Sequence, residues 1–166
     1  MDEIRLEILP HHIEQAKAEQ AKFDAQKTHD KFTCNTNYIG YLGELVFNDY
    51  LKSKSLDYSW NTFTKQGWDE PDFIINGKTI DLKTTFSDVM WIQQEKFDCY
   101  IYAQINKNQT LLKIKGWMTK QEITESKYNG NAKVVNRGNR KDYVFQPFFM
   151  NSIKSFFEKE VISLKH

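Results

Sequence analysis

The dipeptide Asn76-Gly77 restricts this chain more than any other feature. It stands between Phe73-Ile74-Ile75 and Thr79-Ile80-Asp81-Leu82, two runs of strand formers. A two-residue type I′ turn needs positive φ at both central positions, and Asn-Gly supplies it. Such a loop sets the pairing register. Ile75 falls opposite Lys78, Ile74 opposite Thr79 and Phe73 opposite Ile80, with Asp72 opposite Asp81 next. Side chains alternate along each strand. One face therefore carries Phe73, Ile75, Ile80 and Leu82, a core face. The other carries Asp72, Ile74, Thr79, Asp81 and Lys83.

The rest of the chain builds around this hairpin. Residues 11–27, rich in Ala, Gln, Glu and Lys and following Pro10, predict a surface helix. A second helix is predicted over 36–51, with Asn35 and Thr36 as capping candidates. Its apolar positions Ile39, Leu42, Val46 and Tyr50 recur at helical spacing. Strands are predicted over 58–63, 98–106 and 111–117. In the second of these, Cys99, Ile101, Ala103 and Ile105 alternate with Tyr100, Tyr102 and Gln104. Thr119-Lys120-Gln121-Glu122 is a capping box. Residues 128–141 read as a mobile basic loop and 148–157 as a closing amphipathic helix. The expectation is an α/β fold with a central mixed β-sheet flanked by helices.

Composition narrows the class. With 166 residues, 40% hydrophobic and 27% charged, the expectation is one folded domain, 1–166. It divides into an N-terminal helix (1–30), a core (36–106) and a basic elaboration (107–166). No apolar run approaches the roughly 18 residues of a membrane span. The N-terminus carries early acids and no apolar h-region, so a cytoplasmic protein without a membrane partner is expected. Cys34 and Cys99 form no CxxC pair, and adjacent His11 and His12 fall on different helix faces, which does not suggest a metal site. The net charge is +1, yet positions 107–141 hold nine basic residues against two acidic ones. That asymmetry reads either as a face for a polyanion or as a solvated basic surface.

The hairpin register places two aspartates side by side, Cβ atoms about 5 Å apart. Opposed like charges persist where a cation lies between them or one is protonated. Mg²⁺ takes oxygen ligands of this kind. Lys83 lies on the same face, within reach of a metal-bound water or a phosphate. Glu44 is the sole charge between positions 38 and 47, flanked by Gly40 and Gly43. Helix glycines often mark close approach of another backbone, and a helix packed on the hairpin would aim Glu44 at the aspartates.

Gly43-Glu44 on a helix, Pro71-Asp72 and Asp81-Leu82-Lys83 together resemble the PD-(D/E)XK nuclease superfamily, including its Holliday-junction-resolvase-like members. The resemblance covers 37–106 and implies a restriction-endonuclease-like αβββ core. It implies a Mg²⁺-dependent deoxyribonuclease, with Mn²⁺ as substitute. Asp72, Asp81 and the Leu82 carbonyl would be metal ligands, Glu44 would complete or orient the shell, and Lys83 would position or activate the attacking water. One departure stands out. Family members commonly carry a full helix between the third and fourth core strands, and here only 86–97 intervene, with Trp91-Ile92 a short strand or a helical turn.

Auxiliary candidates follow. Gln104 is a water or phosphate contact, or a surface strand residue. Glu70 is an auxiliary acid or an exposed loop charge. Thr84 and Thr85 are candidate hydroxyl donors to phosphate. Arg137, Arg140 and Lys141 are candidate DNA-backbone contacts, or solvated loop charges. Trp60, Trp68, Trp91 and Trp117 read as core or rim. The small size points to a structure-selective or nicking DNA endonuclease, and a homodimer would add what one chain lacks. The alternative is a catalytically inactive nuclease-fold module that binds DNA or protein.

Overall fold

The computed structural model describes residues 2–26, 36–61 and 70–163. The predicted positions Asn35, Phe63 and Trp68 lie outside the described residues. The chain runs β1 (Ile4–Glu7), α1 (Pro10–Gln26), α2 (Thr36–Lys52), β2 (Tyr58–Trp60), β3 (Phe73–Ile75), β4 (Lys78–Thr85) and β5 (Met90–Ile92). It continues with β6 (Cys99–Ile105), β7 (Leu111–Thr119), α3 (Lys120–Tyr128), β8 (Lys133–Arg137), β9 (Arg140–Phe145), a 3-10 turn (Pro147–Phe149) and α4 (Ile153–Ser163). The fold is mixed α/β, and no described helix is long and apolar enough to cross a membrane.

Six strands form the main sheet in the order β1-β7-β6-β4-β3-β2. Among the described residues only β4 and β6 pair in parallel. A parallel pair needs a crossover of about a dozen residues. Here the crossover contains β5, which leaves the main sheet and joins β9 and β8 in a second, three-stranded sheet. Thus Trp91-Ile92 is strand, and no helix intervenes between β4 and β6.

Two hydrophobic cores result. The first joins Leu42, Val46 and Phe47 of α2 to Ile80 and Leu82 of β4, Ile101 of β6 and Ile114 of β7. The second joins Met90 and Ile92 of β5 and Phe145 of β9 to Tyr100 and Tyr102 of β6. The main sheet is therefore covered on both faces. The alternation in β6 is as the sequence predicts, but its Tyr face is not solvent: both tyrosines are fully buried. Their hydroxyls have partners, as burial requires. Tyr100 Oη donates to Gln94 O at 3.0 Å and accepts the Lys96 amide at 2.7 Å. Tyr102 Oη donates to Ser87 O at 2.6 Å.

Several local predictions hold. The Thr119 side chain accepts the Glu122 amide at 3.1 Å while Glu122 Oε2 accepts the Thr119 amide at 2.7 Å, a closed capping box. Asn76 and Gly77 have φ of 48° and 78°, as a type I′ turn demands. Two expectations fail. Residues 128–141 are not a loop: most belong to the end of α3 and to a β8–β9 hairpin closed by Gly138, whose φ is 61°. The closing helix begins at Ile153 rather than at 148, because Pro147 opens a separate 3-10 turn.

Candidate active site

The predicted hairpin register is present from Ile75↔Lys78 to Phe73↔Ile80. It breaks one residue later. The Asp72 amide donates to Ile80 O at 3.0 Å, and Asp72 Oδ2 accepts the Leu82 amide at 2.7 Å. Asp72 therefore ends the ladder in the manner of a bulge, its carboxylate standing where a backbone carbonyl would be. This corrects the simple face-to-face placement of Asp72 and Asp81. The two carboxyls remain neighbours nonetheless, since Asp72 acts on Asp81 through both charge and a hydrogen bond.

Asp81 is buried, and its Oδ2 lies 2.7 Å from Lys83 Nζ. Burial pushes the Asp81 carboxyl up. Asp72 adds to the rise and Lys83 opposes it, and the pKa ends at about 6 instead of 3.8. For Lys83 burial acts downward. The Asp81 and Asp72 carboxylates outweigh it and hold the ammonium above its ordinary value. The hairpin thus gathers two carboxyls beside the Lys83 ammonium.

Glu44 arrives from α2. A Cβ added at Gly43 would overlap the Thr84 side chain, so this glycine lets α2 lie directly on β4. Gly40 has open space around it and marks no such approach. The helix covers the face of Ile80, Leu82 and Thr84, opposite to that of Asp81 and Lys83. Glu44 is buried, and its Oε2 accepts Trp60 Nε1 at 3.2 Å. Trp60 pairs with Phe73, the residue after Asp72. Among the described residues, Glu44, Asp72 and Asp81 do not bring their ligand oxygens within 4.8 Å of one another as a trio. The aspartates are together, and Glu44 is turned to Trp60.

The auxiliary candidates separate. The Leu82 side chain belongs to the first core, leaving only its backbone for a site. Thr84 is not placed as a phosphate donor: its Oγ1 is buried against Gly43 without a hydrogen-bond partner. Thr85 Oγ1 accepts the Ser87 amide at 3.1 Å and shapes the turn after β4. Gln104 Nε2 donates to Asp88 Oδ1 at 2.6 Å, tying that turn to β6. Glu70 is exposed. Arg137, Arg140 and Lys141 are exposed, on strands rather than in a loop. Trp117 is core, while Trp60 and Trp91 are half-buried.

One cluster escapes the sequence reading. His11, His12 and Asp49 bring ligand atoms within 4.8 Å of one another, although the two histidines are adjacent. His12 Nε2 lies 2.9 Å from Asp49 Oδ2, and His11 Nε2 lies 3.8 Å from the same oxygen. His12 Nδ1 accepts the Leu9 amide at 3.0 Å. In a neutral imidazole this puts the proton on Nε2, where it is donated to Asp49. A metal at Nε2 would need that proton moved to Nδ1, against the Leu9 N–H. The arrangement instead pins the first turn of α1 to α2, and no sequence signal joins residues 12 and 49. Comparison with protein families, with curated proteins and with solved structures finds no match for this chain.

Proposed function

We propose that this protein is a metal-dependent DNA endonuclease of the PD-(D/E)XK type, with a restriction-endonuclease-like core over 36–106. The observation that carries the reading is the crowding of Asp72 and Asp81 beside Lys83 on one hairpin. The order of α2, β3, β4 and β6, with β4 and β6 parallel, supports it.

The donor chemistry fits Mg²⁺. Carboxylate oxygens are its ligands of choice, and two mutually repelling aspartates gain from a cation. Asp72, Asp81 and the Leu82 carbonyl would hold the ion, and Glu44 would have to turn from Trp60 to join them. When bound, it supplies a Lewis acid for a phosphoryl oxygen and a lowered pKa for water. Asp72, anchored by the Leu82 amide, keeps β3 and β4 in a fixed relation. Lys83 keeps a cation on the site face and would turn its ammonium to a phosphate oxygen. Gly43 and Trp60 together set where Glu44 stands.

The turning of Glu44 to Trp60 favours a second reading, an inactive nuclease-fold module. A cleavage assay separates them. The protein is incubated with supercoiled, branched, linear and single-stranded DNA in Mg²⁺, Mn²⁺ or EDTA, beside Asp81→Ala and Lys83→Ala. Metal-dependent cutting that disappears in both variants is the expected result. Binding without cutting under every condition would leave the module.

A further inference from the structure

We propose that the β8–β9 hairpin is a docking ribbon for duplex DNA, contacted through its phosphates. The choice of partner rests on the nuclease reading, and the ribbon itself is tested by binding without cleavage.

Strand β5 pairs with β9 only at Tyr143, Val144 and Phe145. Among the described residues, the rungs Val135↔Asp142, Asn136↔Lys141 and Arg137↔Arg140 have no third strand beside them. At about 3.4 Å per residue they project roughly 10 Å with the turn beyond. Cations lie on both faces of this projection: Arg137 and Arg140 share one, and Lys141 is on the other. Arg137 and Arg140 are direct cross-strand partners, a like-charge pairing that costs stability. Like the neighbouring aspartates it crowds one sign of charge, here positive and in direct register, and it asks for an anion.

Part of that anion is internal. Asp142 is buried, with Arg140 Nε at 2.9 Å and Arg137 Nε at 3.4 Å. Of these groups Arg140 Nη2 donates a hydrogen bond, to Asp142 Oδ2 at 3.2 Å, and the Nε contacts are ion pairs. One carboxylate cannot neutralise two guanidiniums plus Lys141 and Lys133, so the ribbon stays positive. It also holds both arginines by their inner edges while each remains half exposed, which lowers the ordering cost of binding a phosphate.

The aromatics of the small sheet favour a duplex, while open rings lie outside it, at Phe86, Tyr128 and Phe148. Single-strand binders stack bases on open rings. In the small sheet the Trp91 ring has Arg137 over it at 4.8 Å, and the Tyr143 ring has Lys127 at 3.8 Å. A cation already occupies a face of each ring, whereas a two-stranded ribbon has the width of a duplex major groove.

The test is fluorescence anisotropy of a short labelled DNA duplex in EDTA across a salt series. The main variant is Arg137→Gln/Arg140→Gln/Lys141→Gln/Asp142→Asn, which removes the buried carboxylate along with its partners. Lys133→Gln/Lys141→Gln leaves Asp142 untouched and decides the matter should the first variant fail to fold by circular dichroism. The expected result is duplex binding by the wild type, at least about tenfold weaker in the main variant. The log–log salt slope should flatten by about 0.9 for each phosphate that the variant no longer neutralises. Unchanged affinity and slope in the folded variants overturns the ribbon. So does a wild type that ignores duplex, or one that binds single strands or polyglutamate as tightly. Duplex binding that the variants abolish, with no cutting by the wild type in any metal, keeps the ribbon and removes the nuclease reading.

Discussion

The β3–β4 and β8–β9 hairpins are the same device with opposite contents. Each is closed by a two-residue turn with glycine at positive φ, and each brings like charges together at one end. In β3–β4 the charges are acids, the strands lie inside a six-stranded sheet, and apolar side chains from α2 cover one face. In β8–β9 the charges are bases, β8 is a sheet edge, and most of its residues are exposed. The turn makes a hairpin in both places. What flanks the turn decides whether the hairpin becomes a buried platform or a projecting ribbon. Burial also sets how the charges are managed. Asp81 responds by holding its proton more tightly, whereas the arginines share a buried counter-ion and keep contact with water.

That contrast can be broken in several ways. Its sharpest form divides chemistry from binding. Asp81→Ala should lower metal-dependent cleavage by about a thousandfold or more while leaving duplex affinity in EDTA unchanged. Equal loss of both in the folded variant would show that the acidic hairpin also docks the substrate.

The second prediction concerns stability. Ile80 is fully buried on β4 and Val134 is exposed on β8. Ile80→Ala should cost about 2–5 kcal/mol in urea unfolding. Val134→Ala should stay within about 0.5 kcal/mol. Similar costs would mean that the ribbon is covered in solution.

A third test uses pH. Asp81 has its folded pKa raised from 3.8 to about 6, so the folded state binds more protons than the unfolded state between those values. Stability contributed by the protonated form is therefore present below pH 3.8 and lost as pH rises through about 6. Mn²⁺ competes for the same ionised site. It should raise the melting temperature by roughly 5 °C at pH 7.5. Thermal melts at pH 5 should show little of this effect, and Asp81→Asn should abolish it at both pH values. The ribbon variants should keep it.

The smallest effect should be shared. Gly77→Ala and Gly138→Ala each place a β-carbon at positive φ, 78° and 61°. Each should cost about 1–2 kcal/mol by denaturant midpoint, because the strain is local to the turn. A much larger loss at Gly77 would show that its turn also holds the aspartates in place.

The two hairpins also show why one was legible and the other was not. Asn76-Gly77 stands between apolar strand formers, so turn chemistry and hydrophobic pattern agree. Gly138-Asn139 is also a recognised hairpin dipeptide, with glycine at the first central position. Its flanks, Asn136-Arg137 and Arg140-Lys141, carry no apolar alternation, and the charges read as a loop. Packing against the second core orders these strands, and that core comes from β5, β6 and β9, far apart in the chain.

By itself the sequence determined what depends on near neighbours. The type I′ turn, the register through Phe73, the alternation in β6 and the capping box on α3 all rest on backbone sterics and on interactions a few residues apart. Tertiary structure alone decided the rest. It buried Tyr100 and Tyr102 under a second sheet and sealed the Thr84 hydroxyl against Gly43. It turned Glu44 toward Trp60 and drew His12 to Asp49. Each of these depends on which distant surface arrives opposite a side chain. A residue's own periodicity says which way it points, and only the assembled layers say what it meets there.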